Sequence, residues 1–282
     1  MNSAAFSLIM LSAVMHATWN FYTKKAAANK IATLWLGWLI AGCCSLPLAI
    51  YLTDFSSFSW HWVPYIILTA VIHALYLLML GHSYSIGEMS LIYPLARGFG
   101  ILVTVMIVLS TGMDSISPRG SFGIFLLAAG ILLVAIKRIR DLEKRAAMKA
   151  ALMVGLCVSA YSIVDKMSIE YIPPIFYISI MFTTTTFLLI PFMVKKLGAQ
   201  TRVVWNKHKL YSAMIGIVSM FTYLLILFAL QSSPTAYVVA LREVSIVFGS
   251  ILGMWILKEE SNKRKLIGII VILMGAVIIK TA

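Results

Sequence analysis

Ten apolar runs of about 17–23 residues, the length that crosses ~30 Å of hydrocarbon at 1.5 Å per residue, occupy positions 4–23, 31–52, 63–83, 89–110, 119–136, 148–165, 174–194, 210–230, 235–257 and 265–281. In hydrocarbon every backbone N–H and C=O must be satisfied within the segment, so runs of this length read as helices. They use most of the 282 positions and leave short connections, so no separate soluble domain is expected. The expected fold class is an all-α polytopic membrane protein with ten transmembrane helices. Composition agrees: 61% of residues are apolar and 12% charged, against about 45–50% and about 25% in an average globular chain. That balance disfavours soluble enzymes and nucleic-acid-binding domains.

The 23 Lys and Arg give a formal net charge of +13, which in a soluble chain points to a polyanion. Here eighteen of them fall in alternate connections. These are Lys24, Lys25 and Lys30; Lys137, Arg138, Arg140, Lys144, Arg145 and Lys149; Lys195, Lys196, Arg202, Lys207 and Lys209; and Lys258, Lys263, Arg264 and Lys265. The other side, with both termini, holds Arg119, Lys166 and Lys280. The positive-inside rule places the eighteen in the cytoplasm and both termini outside, in a bacterial-type cytoplasmic (inner) membrane. The charge is thus a topology signal: the lipid bilayer is an expected partner and nucleic acid is not. The first charge is Lys24, after the first run, so that run reads as an uncleaved span rather than a signal peptide. Trp35, Trp60, Trp62 and Trp205, near run ends, are expected to anchor at the interface. Cys43, Cys44 and Cys157 lie inside apolar runs and read as buried packing residues, with neither a disulfide framework nor a metal cluster.

Sliding the sequence along itself by 145 positions pairs His16 and Asn20 with Tyr161 and Asp165, Arg97 with Arg242, Arg119 with Arg264, and Gly123 and Gly130 with Gly268 and Gly275. The matches predict two five-helix repeats, residues 1–140 and 141–282. Five is odd, so the second repeat is inverted, a common arrangement in secondary transporters that rock around a midplane site.

The run His16-Ala17-Thr18-Trp19-Asn20, the run from Leu91 through Tyr93, Pro94, Leu95, Ala96 and Arg97 to Gly98, and Leu241-Arg242-Glu243-Val244-Ser245 resemble the EamA-type branch of the drug/metabolite transporter superfamily. The resemblance covers essentially the whole chain. It implies two inverted five-helix repeats, with spans 1, 3, 4, 6, 8 and 9 lining a central cavity and spans 5 and 10 at the periphery. A narrower likeness is to a subgroup found near phosphonate-utilisation genes, and exporters of amino-acid-derived metallophores belong to related branches; neither fixes a substrate. Many relatives are described with both termini in the cytoplasm, whereas the basic-residue count here gives the opposite.

Arg97 and Arg242 lie about nine and eight residues into their runs, ~13 Å and ~12 Å deep at 1.5 Å per residue. Arginine at a helix centre costs at least ~2.5–3.5 kcal/mol, so each must face the bundle interior with a partner, either a substrate anion or an internal carboxylate such as Glu243 or Asp165. Arg242 and Glu243 are adjacent, ~100° apart around a helix, and are expected to reach different helices. His16 and Asn20 share one helix face, as do Tyr161 and Asp165, and His73 and Tyr76. Tyr93 stands one turn before Arg97, and Pro94 between them removes a backbone donor and predicts a bend. Trp19 offers a ring face to a flat or cationic group, and packing explains it as well. Gly249 and Gly253 form a G-x-x-x-G, a weak signal for close packing or a dimer. The candidate substrate-binding set is therefore His16, Trp19, Asn20, His73, Tyr76, Tyr93, Arg97, Tyr161, Asp165, Arg242 and Glu243. No catalytic residue, metal or cofactor is expected.

These features lead to a secondary transporter, an exporter of a small polar, zwitterionic or anionic metabolite by alternating access. His16, Asp165 and Glu243 are candidate proton carriers, and the chain is expected as a monomer or weak dimer. A flippase for a lipid-linked phosphate suits the paired arginines too. An intramembrane enzyme has His, Glu and Asp available but lacks the spacing of H-E-x-x-H or G-x-S-x-G.

Overall fold

Asparagine opens the first two helices: Asn2 accepts the Ala4 N–H at 2.9 Å and Asn29 the Ala32 N–H at 3.0 Å, satisfying donors that a helix start leaves orphaned. The computed structural model describes residues 1–26, 28–86, 89–139, 145–256 and 263–282; the side chains at 24, 57, 84–86, 89–93, 135–139, 145 and 147 lie outside that description. The helices are α1 (Ser3–Lys25), α2 (Lys30–Leu52), α3 (Trp62–Ile86), α4 (Met89–Thr111), α5 (Pro118–Ile139), α6 (Arg145–Ser168), α7 (Pro174–Leu188), α8 (Ile190–Ser232), α9 (Thr235–Arg242), α10 (Ser245–Ile256) and α11 (Lys263–Lys280), with a 3₁₀ turn at Phe55–Ser57. Seven stretches are long and apolar enough to cross a membrane: Ser3–Thr23, Lys30–Leu52, Trp62–Ser83, Pro94–Thr111, Met148–Ser168, Ile190–Ser232 and Thr235–Ile256. Pro118–Val134 and Pro174–Leu188 are shorter apolar helices. Among the described residues the chain is all-helical, as a polytopic membrane protein must be when water cannot satisfy its backbone.

Two expected boundaries differ. The connection expected at 195–209 is helical, because α8 starts at Ile190 and runs to Ser232 with one non-helical residue, Leu197 (φ −127°, ψ 18°). Lys, Arg and Gln are good helix formers, so a charged stretch need not be a loop. The expected span 235–257 is instead two helices, α9 and α10, separated at Glu243 and Val244. Glu243, Val244, Ile246 and Val247 donate to carbonyls three residues back, at 2.9–3.0 Å, so the chain tightens into a 3₁₀ turn in mid-span.

Some side chains also sit elsewhere than expected. Trp35 is buried and donates through Nε1 to the Thr186 carbonyl at 2.9 Å, and Trp62 is buried among Phe55, Phe58 and Phe176. Both were placed at the interface by their position near run ends, which says nothing of the face they occupy. Trp60 and Trp205 are exposed, as an interface anchor requires. Cys43 and Cys44 are exposed rather than buried, and Cys157 is intermediate. An apolar run gives depth but does not distinguish the lipid face from the core.

Packing joins α1 to α8, α3 to α6, α2 to α7 and α8, α4 to α6, and α5 to α11. Glycines let the last pair approach. A Cβ on Gly130 would lie 2.8 Å from the Gly268 carbonyl oxygen, and one on Gly275 would lie 2.7 Å from that of Gly123. The termini meet, with the Met1 ammonium donating to the Lys280 carbonyl at 3.3 Å. At the start of α9, Asp114 accepts the Thr235 N–H at 2.6 Å, and the Tyr237 hydroxyl accepts the Ser117 N–H at 3.0 Å. Gly120 leaves room for that hydroxyl: a Cβ there would sit 2.0 Å from it. α9 is thus fixed at its first turn and ends in the 3₁₀ turn. Replacing Gly130 by Val should lower stability in detergent by about 1–3 kcal/mol through overpacking. Gly249→Ala, where no atom of another element among the described residues lies within 4 Å of the added carbon, should leave the unfolding transition in place or raise it slightly.

Candidate functional site

The 3₁₀ turn puts Arg242 at the last position of α9 and Glu243 just beyond it, and their side chains leave the turn toward different helices. Glu243 Oε1 meets Arg97 of α4, whose Nη1 donates to it at 3.1 Å, and all three residues are buried. Arg97 Nη2 also lies 2.6 Å from His16 Nε2. A guanidinium can only donate, so Nε2 is the acceptor and His16 is the neutral tautomer with its proton on Nδ1. His16 therefore serves here as a ligand to Arg97, and the proton-carrier role expected of it has no support in this geometry.

Arg242 is treated differently. Its Nε lies 3.6 Å from Glu243 Oε1 without a hydrogen bond, and its guanidinium sits 5.6 Å from the centre of the Tyr161 ring. Nε and Nη2 have no hydrogen-bond partner among the described residues. Leaving such donors buried and unpaired costs about 1–3 kcal/mol per group, more for charged ones.

Asp165 of α6 is held by hydroxyls. It accepts from Tyr177 at 2.5 Å, from Thr69 at 3.2 Å and from Tyr223. Thr69 in turn lies 3.1 Å from His73 Nδ1, and that nitrogen is 3.0 Å from the Thr69 carbonyl. The expected alternative, an ion pair between Asp165 and an arginine, is absent among the described residues.

Between these two clusters lies a cavity of about 40 Å³ of space open to a water-sized sphere, enough for roughly three waters. Arg242 forms part of its wall, and most of the rest is rings. His73 stacks on Tyr161 at 4.5 Å and 24°, and Tyr76 meets Tyr161 edge-on at 5.5 Å. Trp38 stacks on Phe182 at 4.4 Å, and His16 meets Trp19 edge-on at 4.9 Å. Tyr223 crosses His73 at 5.8 Å.

Of the residues expected from sequence, His16, Trp19, His73, Tyr76, Tyr161 and Arg242 line this cavity. Arg97, Glu243 and Asp165 stand in the hydrogen-bond networks beside it. Asn20 donates to the His16 carbonyl at 2.8 Å, a bond within its own helix, and does not line the cavity. Tyr93 falls outside the described side chains. Sequence reasoning missed Trp38, Phe182, Tyr223, Tyr177 and Thr69. The resemblance implied a lining without spans 2 and 7, yet Trp38 of α2 and Phe182 of α7 contribute, while α4 gives no lining residue among those described. Their helices meet closely at Gly42, where a Cβ would lie 2.8 Å from Thr183 N, and wide rings then reach inward. The missed signal was depth: Trp38 and Tyr223 lie well inside apolar runs, too far from the ends for an interface belt.

Residues 145–281 match the model of the EamA-like transporter family. No curated protein matches the chain. A solved structure described only as "Crystal structure of protein" is similar over 100% of this chain and 99% of its own, with a TM-score of 0.75 and 14% identity. That likeness shows a shared fold. Removing one hydroxyl from Asp165, as in Tyr177→Phe, should lower stability by about 1.5–3 kcal/mol. Equilibrium unfolding in detergent checks this, and the loss should shrink when Asp165→Asn is already present.

Proposed function

Because this chain belongs to the EamA-like transporter family, we propose that it is a secondary transporter of a small anionic or zwitterionic metabolite, working as an exporter by alternating access, with Arg242 as the anion-recognition group. One observation carries the reading. Two guanidiniums stand at positions 145 residues apart; Arg97 is compensated by Glu243, and Arg242 keeps two unpaired donors beside a cavity. A buried cation with unpaired donors is costly unless an occupant completes it, and a transported anion completes it once per cycle.

Alternating access requires two halves that exchange roles, and the packing supports the proposed inverted repeats 1–140 and 141–282. The 145-residue shift takes α1 to α6 and α3 to α8, so the contact of α1 with α8 becomes that of α6 with α3, both observed. It also takes Gly123 to Gly268 and Gly130 to Gly275, so the Gly123–Gly275 contact becomes Gly268–Gly130. Ten spans follow if α9 and α10 count as one broken span and α7 and α11 each cross. The contact between the two termini fits an even number of crossings. The basic connections then face the cytoplasm and the termini the outside.

At this volume the cavity admits a few waters, so transport requires its walls to part for a metabolite to load and leave. Asp165 is the proposed proton carrier: its buried charge is balanced by hydroxyl dipoles and by no cation in hydrogen-bond contact among the described residues, so proton uptake relieves the site. In vesicles reconstituted with the purified chain, a screen of labelled amino acids, opines, phosphonates and organic cations should find flux of an anionic or zwitterionic compound. Arg242→Leu should cut it at least tenfold with insertion intact, and Asp165→Asn should uncouple it from a pH gradient. Unchanged flux in Arg242→Leu, or transport confined to cations, contradicts the assignment.

A further inference from the structure

Four residues that line the cavity hold five buried polar atoms with no hydrogen bond among the described residues: Trp19 Nε1, Trp38 Nε1, His73 Nε2, Arg242 Nε and Arg242 Nη2. Buried side-chain polar atoms normally find partners, so five around one small space define the complement of an occupant. Four of them can only donate. The fifth is set by its ring: His73 Nδ1 faces the Thr69 carbonyl at 3.0 Å, so the neutral imidazole keeps its proton there and presents Nε2 as an acceptor.

Each part of this set has a geometric meaning. Nε–H and one Nη2–H of a guanidinium point the same way, spaced to match the two oxygens of a carboxylate. The two buried guanidiniums, Arg97 and Arg242, have one carboxylate between them, Glu243, so the three together carry a single net positive charge, which suits a monoanion better than a phosphate dianion. The rest of the wall is flat rings, among them the His73–Tyr161 and Trp38–Phe182 stacks, which favour a planar apolar body. A positive Arg242 at the wall works against a cationic occupant, although aromatic walls alone would welcome one.

We propose that this site, once the rings that line it part, takes an aromatic or heteroaromatic monocarboxylate: its carboxylate on the Arg242 Nε/Nη2 fork, its ring among the aromatic walls, a further acceptor for an indole N–H, and one N–H or O–H for His73 Nε2. The inference rests on the cavity being the transport site and narrows what passes through it. Aliphatic anions lack the ring, neutral aromatics lack the anion, and both leave part of the wall unsatisfied.

The test uses the full chain, purified in detergent, with indole-2-carboxylate as probe, read by thermal shift and by quenching of tryptophan fluorescence. Indole-2-carboxylate should raise the unfolding temperature in a saturable way. Cyclohexanecarboxylate should bind at least tenfold more weakly, and benzamide and phenylphosphonate should give no shift at the same concentrations. Arg242→Gln should abolish the shift, and Trp38→Ala, which removes one of the stacked wall rings, should weaken binding about threefold to tenfold. Equal affinity for cyclohexanecarboxylate, tighter binding of phenylphosphonate, or an unchanged shift in Arg242→Gln overturns the proposal. Counterflow in vesicles separates it from the transport reading. Saturable binding of indole-2-carboxylate without counterflow leaves the ligand class standing and sinks transport through this site. Arg242-dependent flux of another anion that indole-2-carboxylate fails to inhibit does the reverse.

Discussion

A buried guanidinium is the costliest element of this structure, and the ion pair between Arg97 and Glu243 is what makes it tolerable. The pair joins α4 to the 3₁₀ turn between α9 and α10, and His16 brings in α1 by accepting from the same guanidinium. Removing one member of a buried pair typically costs about 3–5 kcal/mol, because the other charge is left behind. The position of the turn, and with it the direction of Arg242, therefore depends on this contact. Asp114 and Tyr237 hold the other end of α9, so Arg242 is positioned from both ends of a short helix.

The 145-residue shift accounts for two arginines around one carboxylate. It matches Arg97 with Arg242, but it matches Glu243 with Gly98, so a single carboxylate serves two equivalent guanidiniums. It also matches His16 with Tyr161: Arg97 has an imidazole nitrogen to donate to, whereas Arg242 has an aromatic face. Asn20 matches Asp165: an amide bonded back to its own helix stands where the shifted position has a carboxylate gathering three hydroxyls. Positions that the shift pairs thus carry different chemistry: Arg97 donates to Glu243 and meets His16, whereas Arg242 keeps Nε and Nη2 without a hydrogen bond among the described residues. That asymmetry gives the proposed transport site its orientation and its preference for an anion.

Much of this was legible in the sequence. Run length and basic-residue alternation mark membrane segments, and an intramembrane arginine announces itself against an apolar background. His73, Tyr76 and Tyr161 were found by helical spacing, and they do converge on one cavity. Spacing within one helix cannot show which rings from other helices arrive opposite, so Trp38, Phe182 and Tyr223 stayed hidden. Thr69 was missed because a Ser or Thr hydroxyl in an apolar run usually bonds back to its own helix, as those of Thr104 and Ser162 do here. The break at Glu243 carries neither glycine nor proline; it is imposed by tertiary contacts, which local propensity does not encode. The stretch at 195–209 differs from expectation for the opposite reason: its charges read as loop signals, yet Lys and Arg are good helix formers.

The central claim, that Glu243 belongs to Arg97 and leaves Arg242 to the cavity, is tested most directly by double-mutant cycles on equilibrium unfolding in detergent, with Met replacing each charged residue. Arg97 and Glu243 should couple by more than about 1.5 kcal/mol, and Arg242 and Glu243 by less than about 0.5 kcal/mol. A larger coupling for Arg242 with Glu243 than for Arg97 with Glu243 contradicts the account, because Arg242 is then spent inside the protein.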